Sequence, residues 1–338
     1  MRSERAMPSD TPEVRFPVVL VAGEPVMQLP ARLSILEAVE FKAACQPLLL
    51  TEPAPRQIRL NFGATRFIDS SGIGALVSVL KLARERDTDL LLQQVSPPVM
   101  GVLAMTGLDR VLQIEPPQPP LEPHERQAAE RLLPATHPSV RSWVKRLIDI
   151  VGSTVGLVIV AILFIPIAIA IKRDSPGPIF FGQIRCGWLG RRFRIWKFRS
   201  MRADAEKLKD RVANQASGAF FKNEDDFRIT RVGRFLRRTS LDELPQFWNV
   251  LQGDMSLVGT RPPTPDEVEK YQIPEWQRLD VKPGMTGEWQ VNGRSKIRNF
   301  EDVIALDLRY QRQWSLMYDI KLILKTIWIL FRKNSGAV

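Results

Sequence analysis

The sequence predicts an α/β protein in two parts, a near-neutral sheet-and-helix domain followed by a basic α/β domain that meets a membrane. Three observations predict this. Short apolar runs alternate with stretches of helical period through the first 114 residues, the pattern of layered α/β structure. Residues 1–140 carry 14 Lys and Arg against 16 Asp and Glu, whereas the rest of the chain carries 34 against 21. Finally, Ile150 to Ile171 is a run of 22 residues without a formal charge. As a straight helix it would be roughly 33 Å long, enough to cover a bilayer core.

At 338 residues the chain has room for two cores. The basic second part requires an anionic partner: nucleic acid, phosphorylated metabolites or an acidic membrane face. Cys45 and Cys186 stand far apart without CxxC spacing. This excludes a disulfide framework or zinc site and fits a reducing compartment. The two histidines, His124 and His137, both fall in a proline-rich stretch, which argues against histidine chemistry. Neither a GxxxxGK[ST] loop nor a GxGxxG fingerprint occurs, so an ordinary ATPase or dinucleotide enzyme is not expected. The first residues are charged and polar, without a signal-peptide core.

Phe16 to Gly23 reads as a strand between turn formers, and Arg32 to Gln46 as a helix with Leu33, Leu36, Val39 and Ala43 on one side and Pro47 ending it. Gln57 to Phe62 alternates as a strand does. Phe67-Ile-Asp-Ser-Ser-Gly-Ile-Gly then gives a strand, a tight turn and a helix, followed by a strand over Leu90–Val95 and a helix over Pro98–Thr106. The Asp69-Ser-Ser-Gly-Ile-Gly turn resembles that of the STAS domain, the module of anti-sigma-factor antagonists and sulfate-transporter tails, over residues 14–114. The resemblance implies a regulatory or docking domain, with Ser71, and Ser70 second, as candidate phosphorylation sites for a partner kinase. A phosphate at a helix N-terminus is favoured by free N–H groups and the dipole; the other reading is that these serines only cap the helix.

Residues 115–140 are rich in proline and charge and read as a linker. In the apolar run beyond it two readings stand. One is a single membrane crossing. The other is a re-entrant hairpin over residues 146–172, because Lys145 and Arg146 precede the run, Lys172 and Arg173 follow it, and Pro166 interrupts it.

Further on, alternation over Phe193–Met201 would put Lys197 and Arg199 on one strand face. Glu206 to Val212 continues as a charged helix. Ser240-Leu-Asp-Glu-Leu-Pro-Gln-Phe-Trp-Asn-Val-Leu reads as an amphipathic helix stopped by Gly253. Ser240 and Glu243 fit a capping box; equally, a helix N-terminus beside Arg237 and Arg238 would keep Asp242 ionised as a nucleophile or metal ligand. A Gly/Pro turn holds Arg261, and Lys282 to Gly287 with Gln290 to Arg294 reads as a glycine-rich loop suited to phosphate. Trp314 to Lys333 mixes apolar, aromatic and cationic residues, the make-up of an interfacial helix or a packed core helix.

Together, Lys145-Arg146 with Asp149, the proline-broken apolar run, Asp174-Ser-Pro-Gly-Pro, Lys197-Phe-Arg-Ser-Met, Ser240-Leu-Asp-Glu-Leu-Pro-Gln, Gly253-Asp-Met-Ser, Arg261-Pro262 and Gln290-Val-Asn-Gly-Arg resemble the bacterial sugar transferases, the monotopic polyprenyl-phosphate phosphoglycosyl transferases, over residues 141–338. The resemblance implies a mainly helical monotopic α/β domain with a re-entrant helix broken at Pro166. It implies that Asp242 attacks the sugar-linked phosphate of a UDP-sugar, UMP leaves, and the phosphosugar passes to polyprenyl phosphate. Glu243 would hold Mg²⁺, and Lys197, Arg238 and Arg261 would contact phosphates, joined by Arg199 from the strand and Arg294 from the glycine-rich loop. The setting implied is the cytoplasmic face of the bacterial inner membrane, with membrane lipids as neighbours and no nucleic acid. Many members have Pro-Arg-Pro where this chain has Thr260-Arg261-Pro262, and larger members carry other domains in front. The alternative class is a membrane-anchored STAS regulatory protein with a non-catalytic transferase-like anchor.

Overall fold

The computed structural model describes residues 16–116, 136–212, 223, 226–292 and 299–331, and the chain divides into two compact units, built mainly from residues 16–114 and 136–331.

The first unit is a five-stranded sheet with helices. β1 (Val18–Val21) pairs antiparallel with β2 (Glu24–Gln28), and β2, β4 (Gln57–Asn61), β6 (Asp89–Gln93) and β7 (Gln113–Ile114) follow in that order, all parallel. β3 (Arg32–Leu33) and β5 (Phe67–Ile68) form a short parallel pair of their own. The strand expected over Phe16–Gly23 is thus the first arm of a hairpin. Its turn places Ala22 and Gly23 at φ 54° and 85°, the left-handed pair a two-residue hairpin needs, and the alanine hides that signal. Helices α1 (Ile35–Leu50), α2 (Ser70–Glu85) and α3 (Pro97–Thr106) make the crossovers. Met27, Leu60 and Leu92 stand side by side across β2, β4 and β6 and are fully buried; Phe41, Cys45 and Leu49 of α1 are buried with them. Pro47 lies inside α1 rather than ending it. Its missing N–H forfeits one bond, and burial of Leu49 in the next turn carries the helix on.

In the second unit a short helical turn, Pro138–Arg141, leads into α4 (Trp143–Asp174), 32 residues long. β8 (Phe180–Cys186) and β9 (Arg192–Phe198) form an antiparallel hairpin. A 3₁₀ helix, Ala205–Arg211, stands where a charged α-helix is expected. α5 (Arg231–Arg238) and α6 (Gln246–Gln252) come next. Then a parallel pair, β10 (Ser256–Val258) with β11 (Gly284–Thr286), is followed by α7 (Phe300–Gln313) and α8 (Leu316–Phe331). Phe193, Ile195, Val250 and Met255 pack together, fastening β9 to α6.

α4 is held along one stripe from end to end. Lys145 Nζ meets Asp319 at 2.5 Å and the Val258 carbonyl at 2.9 Å. Arg146 donates to the Val250 and Leu251 carbonyls at 2.7 Å each, capping α6. Asp149 accepts from Ser256 Oγ at 2.9 Å and from the Leu257 N–H at 2.8 Å. A Cβ on Gly156 would stand 2.4 Å from the Phe247 ring, so the bare backbone is what lets the two elements meet. Ile167 and Ile171 pack with Phe198 and Leu236. The cations expected to flank a membrane segment are therefore, at the N-terminal end, structural ties. The helix runs on through Pro166, because Ile167, Ala168 and Ile171 beyond it are buried. The other face, with Val151, Val155, Val158, Ile162 and Ile165, is exposed and apolar, and this helix is long and apolar enough to cross a membrane. α8 likewise buries Leu322 and exposes Met317, Leu324 and Trp328, so it combines the two readings of that segment.

Candidate active site

Asp242 and Glu243 stand in a 3₁₀ turn, Leu241–Glu243, between α5 and α6, not at the head of one long helix. The reason is Pro245, which has no N–H to give the Leu241 carbonyl, so helical bonding restarts after it. Ser240 takes φ 57° and its side chain does not cap the turn, so the expected capping box does not form. Gly253 does end α6, with φ 89°. Asp242 is buried, at 6% exposure.

β9 reaches this turn because Asn249 of α6 clamps it edge-on. Asn249 Oδ1 accepts from the Trp196 N–H at 3.1 Å and its Nδ2 donates to the Arg194 carbonyl at 2.7 Å. That brings Lys197 Nζ to 2.9 Å from Glu243 Oε1, each side chain about a quarter exposed. Arg199 has another task. β9 has ended at Phe198, and Arg199 donates to the Ser175 carbonyl at 2.6 Å and Ser175 Oγ at 3.1 Å, past the end of α4. Gly177 lies under it at φ 124°, where a Cβ would be 2.1 Å from Arg199 Nη1. The Ser-Pro-Gly-Pro motif is thus a seat for this arginine.

Arg261 follows β10 on a loop whose Gly259 would put a Cβ 2.2 Å from the Lys282 carbonyl. Its guanidinium is bidentate to Glu267, at 2.8 and 3.1 Å, and lies 5.9 Å from the Trp289 ring centre. Below it, fully buried Arg278 pairs with Asp307 and donates to the Arg261 carbonyl at 3.3 Å. Burial pushes the Glu267 carboxyl up, but Arg261, Arg185 and the Thr264 N–H outweigh it and hold the group at about 2. Arg185 of β8 faces the same charges. Burial and the Arg261 charge pull it down to about 10, against Glu267 and Glu243.

The structure thus gathers Lys197 with Glu243 beside Asp242, and Arg261 with Glu267 and Arg185. Arg238 is exposed in the last turn of α5, four residues before Asp242. Arg294 lies outside the described residues. Ser70 and Ser71 open α2, where the Asp69 carboxylate takes the Gly72 N–H at 3.0 Å. Among the described residues no three His, Cys, Asp or Glu side chains cluster as a metal cage. A lone Asp-Glu pair could hold a hard cation such as magnesium only with further oxygen ligands from outside the protein. Sequence reading missed Asn249, Arg185 and Glu267. For Glu267 a signal existed: Thr264 and Glu267 form a capping box.

The site is thus a buried aspartate next to a lysine-paired glutamate, on a unit that carries an exposed apolar helix. The model of the family described as bacterial sugar transferase matches residues 140–333, and the chain belongs to that family. A STAS-domain model matches residues 18–114. Galactosyl transferase CpsE of Streptococcus agalactiae is 53% identical over 188 residues, 55% of this chain and 42% of that one. Undecaprenyl-phosphate galactose phosphotransferase of Salmonella typhimurium is 42% identical over 57% of this chain and 42% of its own length. Exopolysaccharide production protein ExoY of Rhizobium meliloti is 36% identical over 56% of this chain and 85% of its own. The chain therefore spans under half the length of the first two relatives and most of the third.

Proposed function

We propose that the protein transfers a phosphosugar from a UDP-sugar to polyprenyl phosphate, releasing UMP, as the first membrane step of exopolysaccharide, O-antigen or related glycan synthesis. The observation that carries this reading is the buried Asp242 next to a Glu243 held at 2.9 Å by Lys197. The names of the relatives support it.

A carboxylate oxygen of Asp242 attacks the sugar-linked phosphorus in line with the bridging oxygen. The phosphorus–oxygen bond breaks and UMP leaves with the electron pair. The phosphosugar is then an acyl phosphate on Asp242. In the second half an oxygen of polyprenyl phosphate attacks the same phosphorus, the bond to Asp242 breaks, and the carboxylate is restored. Lys197 orients Glu243 and, with the nearby arginines, neutralises charge that spreads over the phosphate oxygens. Magnesium, held by Glu243, would supply further charge neutralisation at the diphosphate.

The exposed apolar faces of α4 and α8 support embedding in the bacterial inner membrane. Both ends of α4 are bound by the same unit, through Lys145 and Asp149 at one end and Ile171 at the other. This supports a helix that enters and leaves on one side, the cytoplasmic one. The STAS-like domain docks a partner protein or kinase, with Ser71, then Ser70, as the phosphorylation site.

The test uses the full chain in nanodiscs with Mg²⁺ and polyprenyl phosphate, screened against UDP-sugars for UMP release. Release beyond one UMP per enzyme should require the lipid, and release should fall at least ~10³-fold in Asp242→Asn. Silence of folded wild type across the panel would leave the non-catalytic anchor instead.

A further inference from the structure

The hairpin that delivers Lys197 brings a second cation to the same face. Its register sets Phe181 opposite Lys197, Gln183 opposite Ile195 and Arg185 opposite Phe193. Paired residues of an antiparallel ladder point to one side, so Gln183, Arg185 and Lys197 share a face. Arg185 Nη1 donates to the Pro262 carbonyl at 3.0 Å and Nη2 to Gln183 Oε1 at 2.7 Å. Its Nε is shut off from solvent and has no hydrogen-bond partner. Lys197 and Arg261 each have a carboxylate, Glu243 and Glu267; among the described residues Arg185 forms no ion pair. A shielded guanidinium is tolerated when paired and costly when not. One that is fixed in place by neutral partners and lacks a carboxylate keeps its charge, and the remaining Nη hydrogens, for an anion.

We propose that Arg185 contacts the diphosphate of the nucleotide donor, while Arg261, neutralised by Glu267, acts as a positioning residue that holds the loop. Arg261 would have to surrender two hydrogen bonds to Glu267 before meeting phosphate. Arg185 surrenders no ion pair. The Pro262 carbonyl and Gln183 hold its fork, as a bidentate phosphate contact requires.

This inference rests on the transferase reading, and the experiment separates the two. The full chain in nanodiscs is compared as wild type, Arg185→Gln and Arg185→Lys. The measurements are KM for the UDP-sugar, KM for polyprenyl phosphate, UDP affinity by calorimetry and thermal melting. Arg185→Gln should weaken UDP binding and raise the UDP-sugar KM at least ~10-fold, about the loss of one charge-assisted contact. The lipid KM and the melting temperature should hold. Arg185→Lys should recover part of the affinity, and it carries the test should Arg185→Gln fail to fold. An active wild type whose variants bind UDP normally overturns the inference alone, as does a loss confined to kcat or melting. A wild type that neither binds UDP nor releases UMP overturns both.

Discussion

Glu267 governs the Arg261 loop through one carboxylate. It is bidentate to Arg261 and also accepts the Thr264 N–H at 3.0 Å. Because its folded value, about 2, lies below the ordinary 4.5, its contribution is fully present above about pH 4.5. It is lost as pH falls from there towards 2. At 1.36 kcal/mol per unit this amounts to about 3 kcal/mol. Melting temperatures followed from pH 6 to pH 3 should fall less steeply in Glu267→Gln than in wild type. Parallel curves would show that the pair contributes nothing to stability. At this scale the sequence singled out Asp242, Glu243 and Lys197, which the structure places together. It was silent on Arg185, whose neighbours come from the hairpin register and from a loop more than 70 residues away.

Asn249 connects two elements rather than two charges. Its side chain satisfies both a free N–H and a free C=O of β9, at Trp196 and Arg194. Asn249→Ala leaves both without a partner and should cost about 1–3 kcal/mol. It should also lower UMP release, because Lys197 then loses its register with Glu243. Asn249→Asp, which keeps the acceptor, should fall between, and a variant with native melting and native release would refute the clamp. The elements also show where local reading stops. The Leu241, Leu244, Phe247 and Leu251 spacing promised a continuous helix, and Pro245 divides it into a 3₁₀ turn and α6. Pro47 works in the opposite sense, tolerated within α1 because Leu49 is buried beyond it.

For the whole molecule, the first unit is expected to control the second rather than to complete its chemistry, since the site residues all fall after residue 180. Deleting residues 1–130 should leave lipid-dependent UMP release within about threefold in vitro and abolish its control in cells. If neither changed, a regulatory role for this domain would be lost. The two apolar surfaces, on α4 and α8, have a common origin. Each helix buries one stripe against the second unit and leaves the other apolar, which water disfavours and a lipid face accepts.

The sequence by itself determined the two-domain order, the alternation of strands and helices in the first, the apolar helix in the second, and the adjacent acidic pair. Each of these is written in residue type and short-range period, which the backbone obeys wherever the chain goes. The tertiary structure alone decided that Lys145, Arg146 and Asp149 are ties within the protein, and that α4 is held at both ends by one unit. It also decided that Arg199 serves the turn after α4, and that Arg261 is already paired while Arg185, among the described residues, is not. Those outcomes depend on which distant groups share a buried space. There the cost of leaving a charge unpaired, rather than any local preference, selects the partner.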